Sequence, residues 1–190
     1  MWWAALLNSF AAVLDSGGAG GGGGSFESIA TYTGSASTTT FSSIASTYKH
    51  LQLRINYLEP NGGQSLTMRF NGDGGTNYVY HALEGSGTVA SAYGATGERA
   101  VTLFSNNING TVTTYPNVMI VDIADYASTT KNKTVRIFAG ADKNGSGGGV
   151  QLLSSLWMST AAIDSITVRD PSSLSWSAST TISLYGIKGA

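Results

Sequence analysis

The chain has no cysteine. Disulfides, thiolate nucleophiles and cysteine-bound zinc are thereby excluded, and stability has to come from packing or from subunit association. Charge is scarce as well. Asp, Glu, Lys and Arg make up 11% of the 190 residues, with a net charge of −1, where an ordinary globular domain has about a quarter. No Lys or Arg precedes Lys49, and no basic block follows it. Nucleic-acid binding, which needs cations to neutralise phosphates, is not expected. Proline occurs only at Pro60, Pro116 and Pro171, each at the border of an apolar stretch. What is abundant is apolar residues, at 42%, and Ser, Thr, Asn and Gly. The first are enough for a core. The second leave a weakly charged surface suited to close self-association or to neutral partners.

The opening "MWWAALLNSFAAVLDSGGAGGGGGS" is apolar and then glycine-rich. Trp3, Leu6, Leu7, Phe10 and Leu14 recur at helical intervals, and Trp2 and Val13 widen the stripe. This predicts an amphipathic helix over 1–15 and a flexible linker over 16–25. About fourteen helical residues span roughly 21 Å, short of a hydrocarbon core of about 30 Å, so no membrane span is expected. A helix this short is marginal in water unless its stripe is buried. On a glycine tether it reads as an anchor used in assembly, whose contact residues would be the seven just named.

From residue 26 the period changes. "HLQLRINY" sets Leu51, Leu53, Ile55 and Tyr57 against polar neighbours, the alternation of a half-buried strand. "SLTMRF" repeats it. "NYVYHAL", "RAVTLF", "KTVRIFAG", "VQLLSSLWM", "AIDSITVR" and "TISLYGIK" are also rich in strand formers. "NVMIVDIADY" is apolar on both faces in its first half, as expected of a central strand. Asx-Gly signals at Asn61, Asp73, Asn109 and Asn144 mark turns. Some nine to eleven short strands without helices between them predict an all-β domain over 26–190. The expected form is an antiparallel β-sandwich, jelly-roll-like.

The candidate chemistry is thin. His50 and His81 each sit in a strand pattern, without the converging ligands of a metal site or the partners of a triad. Asp122 and Asp125 are a carboxylate pair of the kind a glycosidase uses, but the first reads as a strand end and the second as a turn. Asn71, Asp73, Asn77, Asp142 and Asn144 lie among glycines. Such oxygens can hold calcium, yet the spacing is not that of an EF-hand, and hairpins need the same residues for positive φ. No catalytic residue, metal or cofactor is assigned, and no enzymatic activity is expected. Of the tryptophans, Trp157 reads as core. Trp176, in the polar "PSSLSWSAST", reads as an exposed ring able to stack on a sugar, with Tyr93 as a second contact.

"FESIATYT", "YKHLQLRINY", "DIADYASTTKNKTVR", "LWMSTAAIDSITV" and the terminal "SLYGIKGA" together resemble a family of virion structural proteins. Its members occur in tailed phages, especially those of aquatic bacteria and cyanobacteria. The resemblance covers 26–190. It departs at 169–180, where this chain carries a longer Ser-rich loop. It implies a non-enzymatic β-sandwich on the phage particle, a homotrimer, acting as a surface decoration, cement or tail-fibre protein. The anchor helix would bind other capsid or tail proteins. The alternative expectation is a tail-fibre module that recognises host surface glycan.

Overall fold

The computed structural model describes residues 24–58, 66–104, 115–142, 144 and 147–189. The expected anchor helix over 1–15 and most of the linker over 16–25 lie outside the described residues. Twelve strands are described: β1 (Phe26–Thr33), β2 (Thr38–Phe41), β3 (His50–Tyr57), β4 (Leu66–Phe70), β5 (Tyr78–Ser86), β6 (Val89–Glu98), β7 (Val101–Phe104), β8 (Asn117–Ile123), β9 (Lys133–Asp142), β10 (Gly148–Trp157), β11 (Ile166–Arg169) and β12 (Thr181–Ile187). They form two antiparallel sheets. The large one runs β1-β12-β3-β8-β9-β10-β5-β6 and the small one β2-β11-β4-β7. No described residue is in a helix, and no described helix is long and apolar enough to cross a membrane.

The chain winds from its two ends inward. β1 pairs with β12 in one sheet while β2 pairs with β11 in the other. β3 then lies beside β12, and β4 beside β11. The hairpin β5–β6 and the strands β9 and β10 continue the large sheet, and β7 of the small sheet packs against β10, β5 and β9. The core lies between the sheets. Leu51, Leu53, Ile55, Val121 and Leu184 from the large sheet meet Leu66, Met68, Phe70, Val101 and Val168 from the small one, all buried. Strict period-two alternation selects these faces, because successive strand residues point to opposite sides.

Aromatic residues fill the ends. Trp157 packs 5.4 Å from Phe70 and 6.3 Å from Tyr78. At the other end Trp176 meets Tyr32 edge-on at 5.7 Å and Tyr57 at 6.3 Å. Trp176 is only 2% exposed, which corrects the expected surface ring. The Ser-rich loop does not stand out in solvent but folds back onto the chain. The Trp176 backbone N–H donates to the Ala36 carbonyl and the Ser177 N–H to the Leu58 carbonyl. The indole therefore closes the gap between the sheets, where burying its large apolar area outweighs the loop's polarity.

Candidate functional site

Most of the residues singled out for chemistry are engaged in local structure, while His81 stands exposed on the outer face of the large sheet. Asp73 Oδ2 accepts from Trp157 Nε1 (2.7 Å) and Asn77 Nδ2 (2.9 Å), and its Oδ1 from the Gly75 N–H (2.8 Å). The Trp157 and Asn77 donors hold this carboxyl below its ordinary range. Asn71 staples the 158–165 segment. Its Oδ1 accepts from the Asp164 and Ser165 N–H groups, and its Nδ2 donates to the Ala162 carbonyl. These oxygens are occupied by protein donors, and Asp142 Oδ1 likewise takes the Asn144 N–H. Asp122 accepts from Gln52 Nε2 at 2.7 Å on the outside of the large sheet. Asp125 sits in a left-handed turn at φ 46, bridged to Lys49 and Lys131 at 2.9 Å each. Those two ammonium groups hold its carboxyl well below the usual range. His50 Nδ1 accepts the Asp125 N–H. Among the described residues no group of three or more His, Asp or Glu could hold a metal ion.

Tyr93 and Trp176 are not brought together. Trp176 lies beyond β11, just before β12. Tyr93 is on β6 at the far edge of the large sheet, facing inward, where its hydroxyl donates to Glu84 Oε2 at 2.8 Å. Gln151 Nε2 reaches both, at 2.8 and 3.1 Å. The anchor residues Trp2, Trp3, Leu6, Leu7, Phe10, Val13 and Leu14 lie outside the described residues.

A different feature is built where the sequence pointed to nothing. On β8, β9, β10 and β5 the outward face of the large sheet is apolar. The register sets Leu83 beside Leu152, Leu152 beside Phe138 and Phe138 beside Ile120 in one row across the sheet. The next row is Gly85, Val150, Gly140 and Val118. These six large side chains are 38 to 56% exposed. A shallow depression of about 660 Å³ lies among Gly85, Gly140, Gly148, Val118 and Val150. The third row, His81, Ser154, Arg136 and Asp122, is polar.

On β5 and β10 the usual polarity is reversed. Glu84 and Gln151 are buried, while their neighbours Leu83 and Leu152 face out. "NVMIVDI" is a central strand, as its double apolar pattern predicts, but its second face is not covered by a layer of this sandwich. Val118 and Ile120 stand on it, exposed. The signal in the sequence is that same doubled pattern, which reads equally as a buried strand or as a strand with a partner on its far side.

The stretches that carry the family resemblance are closing elements. Lys188 pairs with Glu27 at 2.9 Å, tying the last strand to the first. Gly186 lies under the Tyr48 ring, where a Cβ would overlap it. Ile163 and Ile166 are core residues, and the Ile163 N–H donates to the Tyr126 carbonyl. No protein-family model, curated protein or solved structure matches the chain.

Proposed function

We propose that this chain is a non-enzymatic structural protein of a tailed-phage particle, a surface decoration, cement or fibre protein. In this reading it is fastened through the apolar segment 1–15 and carried as a homotrimer, as the resemblance implies. The observation that carries the reading is the outer face of the large sheet. An apolar, nearly uncharged area of this breadth on a folded domain marks a protein contact, and Asn71, Asp73 and Asp125 are engaged in turns and staples. The winding supports a jelly roll: the chain pairs from its ends inward, β1 with β12 and β2 with β11, then β3 beside β12 and β4 beside β11. The glycan-binding alternative has lost its stacking residue, since Trp176 offers no free ring face.

Deletion of residues 1–15 tests the attachment. Particles assembled with the truncated protein should lack it, while the full chain, tagged after residue 190, should be visible on head or tail by electron microscopy. Incorporation unchanged by the deletion would overturn attachment through this segment. Particles from which the protein is absent altogether should also burst at lower temperature if it acts as cement.

A further inference from the structure

We propose that the outer face of the large sheet pairs with the same face of a second copy of this chain, about a two-fold axis running between β9 and β10. The argument is the order of residues across the four strands. Taken from β5 through β10 and β9 to β8, the glycine-containing row reads Gly85, Val150, Gly140, Val118. Turning it end for end about its centre sets Val150 over Gly140 and Val118 over Gly85. Every projecting side chain then meets a glycine, and every glycine a projecting side chain. The apolar row sets Leu152 over Phe138 and Leu83 over Ile120. In the polar row Asp122 falls over His81, and Arg136 over Ser154, so that unlike groups meet at the rim and no like charges oppose. Two-fold contacts require this kind of self-complementarity, in which residue i meets j and j meets i.

The scale fits a sheet-on-sheet contact. Strands lie about 4.8 Å apart and stacked sheets about 10 Å apart. With the flanking β3 and β6, the face measures roughly 30 Å by 20 Å. That is a projected area of order 600 Å², before side-chain relief is counted, against about 800 Å² per partner in a stable interface. Aligned sheets cross at about 30°. This close to the axis such a crossing shifts opposed residues by about 4 Å, less than one strand spacing. An added peptide strand fits less well, because the backbone groups of these four central strands are already paired on both sides. An anionic surface or nucleic acid finds no basic patch here: Arg136 is matched by Asp122, and Arg54 on the flanking β3 is a single further cation. An isologous contact closes after two copies, so it is separate from any three-fold contact, and it does not depend on the particle reading.

The absence of native cysteine allows a direct test on the purified full chain. Leu83 and Ile120 are three strand spacings apart in one protomer, roughly 14 Å. Across the proposed axis they face each other over stacked sheets about 10 Å apart, a gap too wide for a disulfide but within reach of a short bis-maleimide. Treatment of the Leu83→Cys, Ile120→Cys variant with that reagent should give at least about tenfold more covalent dimer than either single variant, whose thiols would lie roughly 14 Å or more apart across the axis. In a second measurement, Phe138→Lys should weaken self-association about tenfold or more by sedimentation equilibrium, because it buries an unpaired charge. Leu152→Ser serves the same purpose if the lysine variant does not fold. Cross-linking no greater than in the single variants overturns the proposal. So does an association constant indifferent to both substitutions. A monomer whose introduced thiols resist a small alkylating reagent also overturns it, and assigns the face to residues of the same chain outside those described.

Discussion

The two faces of the large sheet are made from the same kinds of residue on the same strands. On β9, Ile137 points inward and is fully buried, while Phe138, next in sequence, points outward and is half exposed. On β8, Val121 and Ile120 divide in the same way. Inside, the small sheet supplies a second layer, and the aliphatic side chains are withdrawn from water. Outside, on β8, β9, β10 and β5, nothing among the described residues does so. Hydrophobic residue type therefore does not identify the core of this molecule. A second layer does, and on the outer face we propose that a second copy of the chain supplies it.

Adjacent substitutions on β9 would break the comparison most directly. Ile137→Ala should cost about 2–5 kcal/mol of unfolding free energy, through lost burial and the cavity left behind. Chemical denaturation of dilute protein measures it. If the loss were small, the inner face would not be the core.

The next effect is expected where the two ends of the domain close. Gly186→Ala pushes a methyl group into the Tyr48 ring and should cost about 1–3 kcal/mol by overpacking. Adding Tyr48→Ala should return part of that loss. A double variant no more stable than the single one would mean the ring is not the obstacle.

Trp157→Phe sharpens the comparison at the polar margin of the core. It keeps an aromatic ring but withdraws the indole donor from Asp73, and should cost about 1–3 kcal/mol. It also bears on acid sensitivity. Asp73 and Asp125 both have folded-state pKa values below their unfolded ones. Their stabilisation is complete above the unfolded carboxylate range, near pH 4, and is lost as pH falls below it. In Trp157→Phe the Asp73 share of that loss should shrink, so the fall in denaturation midpoint between pH 5 and pH 2.5 should be shallower than in the parent chain. An unchanged slope would remove Asp73 from the account.

The smallest effect is expected next door to the largest. Phe138→Ala, in protein dilute enough to be monomeric, should shift unfolding by no more than about 0.5 kcal/mol. A loss as large as that of Ile137→Ala would mean that the outer face is already covered within the chain.

Legibility in the sequence follows local pattern. β3 is readable from end to end, because Leu51, Leu53, Ile55 and Tyr57 alternate without exception and the inner face they line is buried. β6 is not. "VASAYGATGE" has small residues on both sides and is exposed along most of its length, so it shows no alternation, and it is a strand because β5 pairs with it. β2, "TTTF", is polar until its last residue and is held by β11. The burial of Trp176 is hidden because nothing in a serine-rich segment reports that it folds back across the end of the sandwich. The outer face is hidden because periodicity tells which side of a strand is apolar, not what covers that side.

The amino-acid order by itself determined that this is a cysteine-free, weakly charged, all-β protein, and where most of its strands run. Those properties depend on residue type and on a repeat of two, both of which are local. Only the tertiary structure decided which apolar face became the core, where Trp176 went, and that Gly85, Val150, Gly140 and Val118 form one row. Gly85 lies on β5 and the other three on the successive strands β8, β9 and β10, and the register that sets them side by side is fixed by pairing between strands, which no single segment carries.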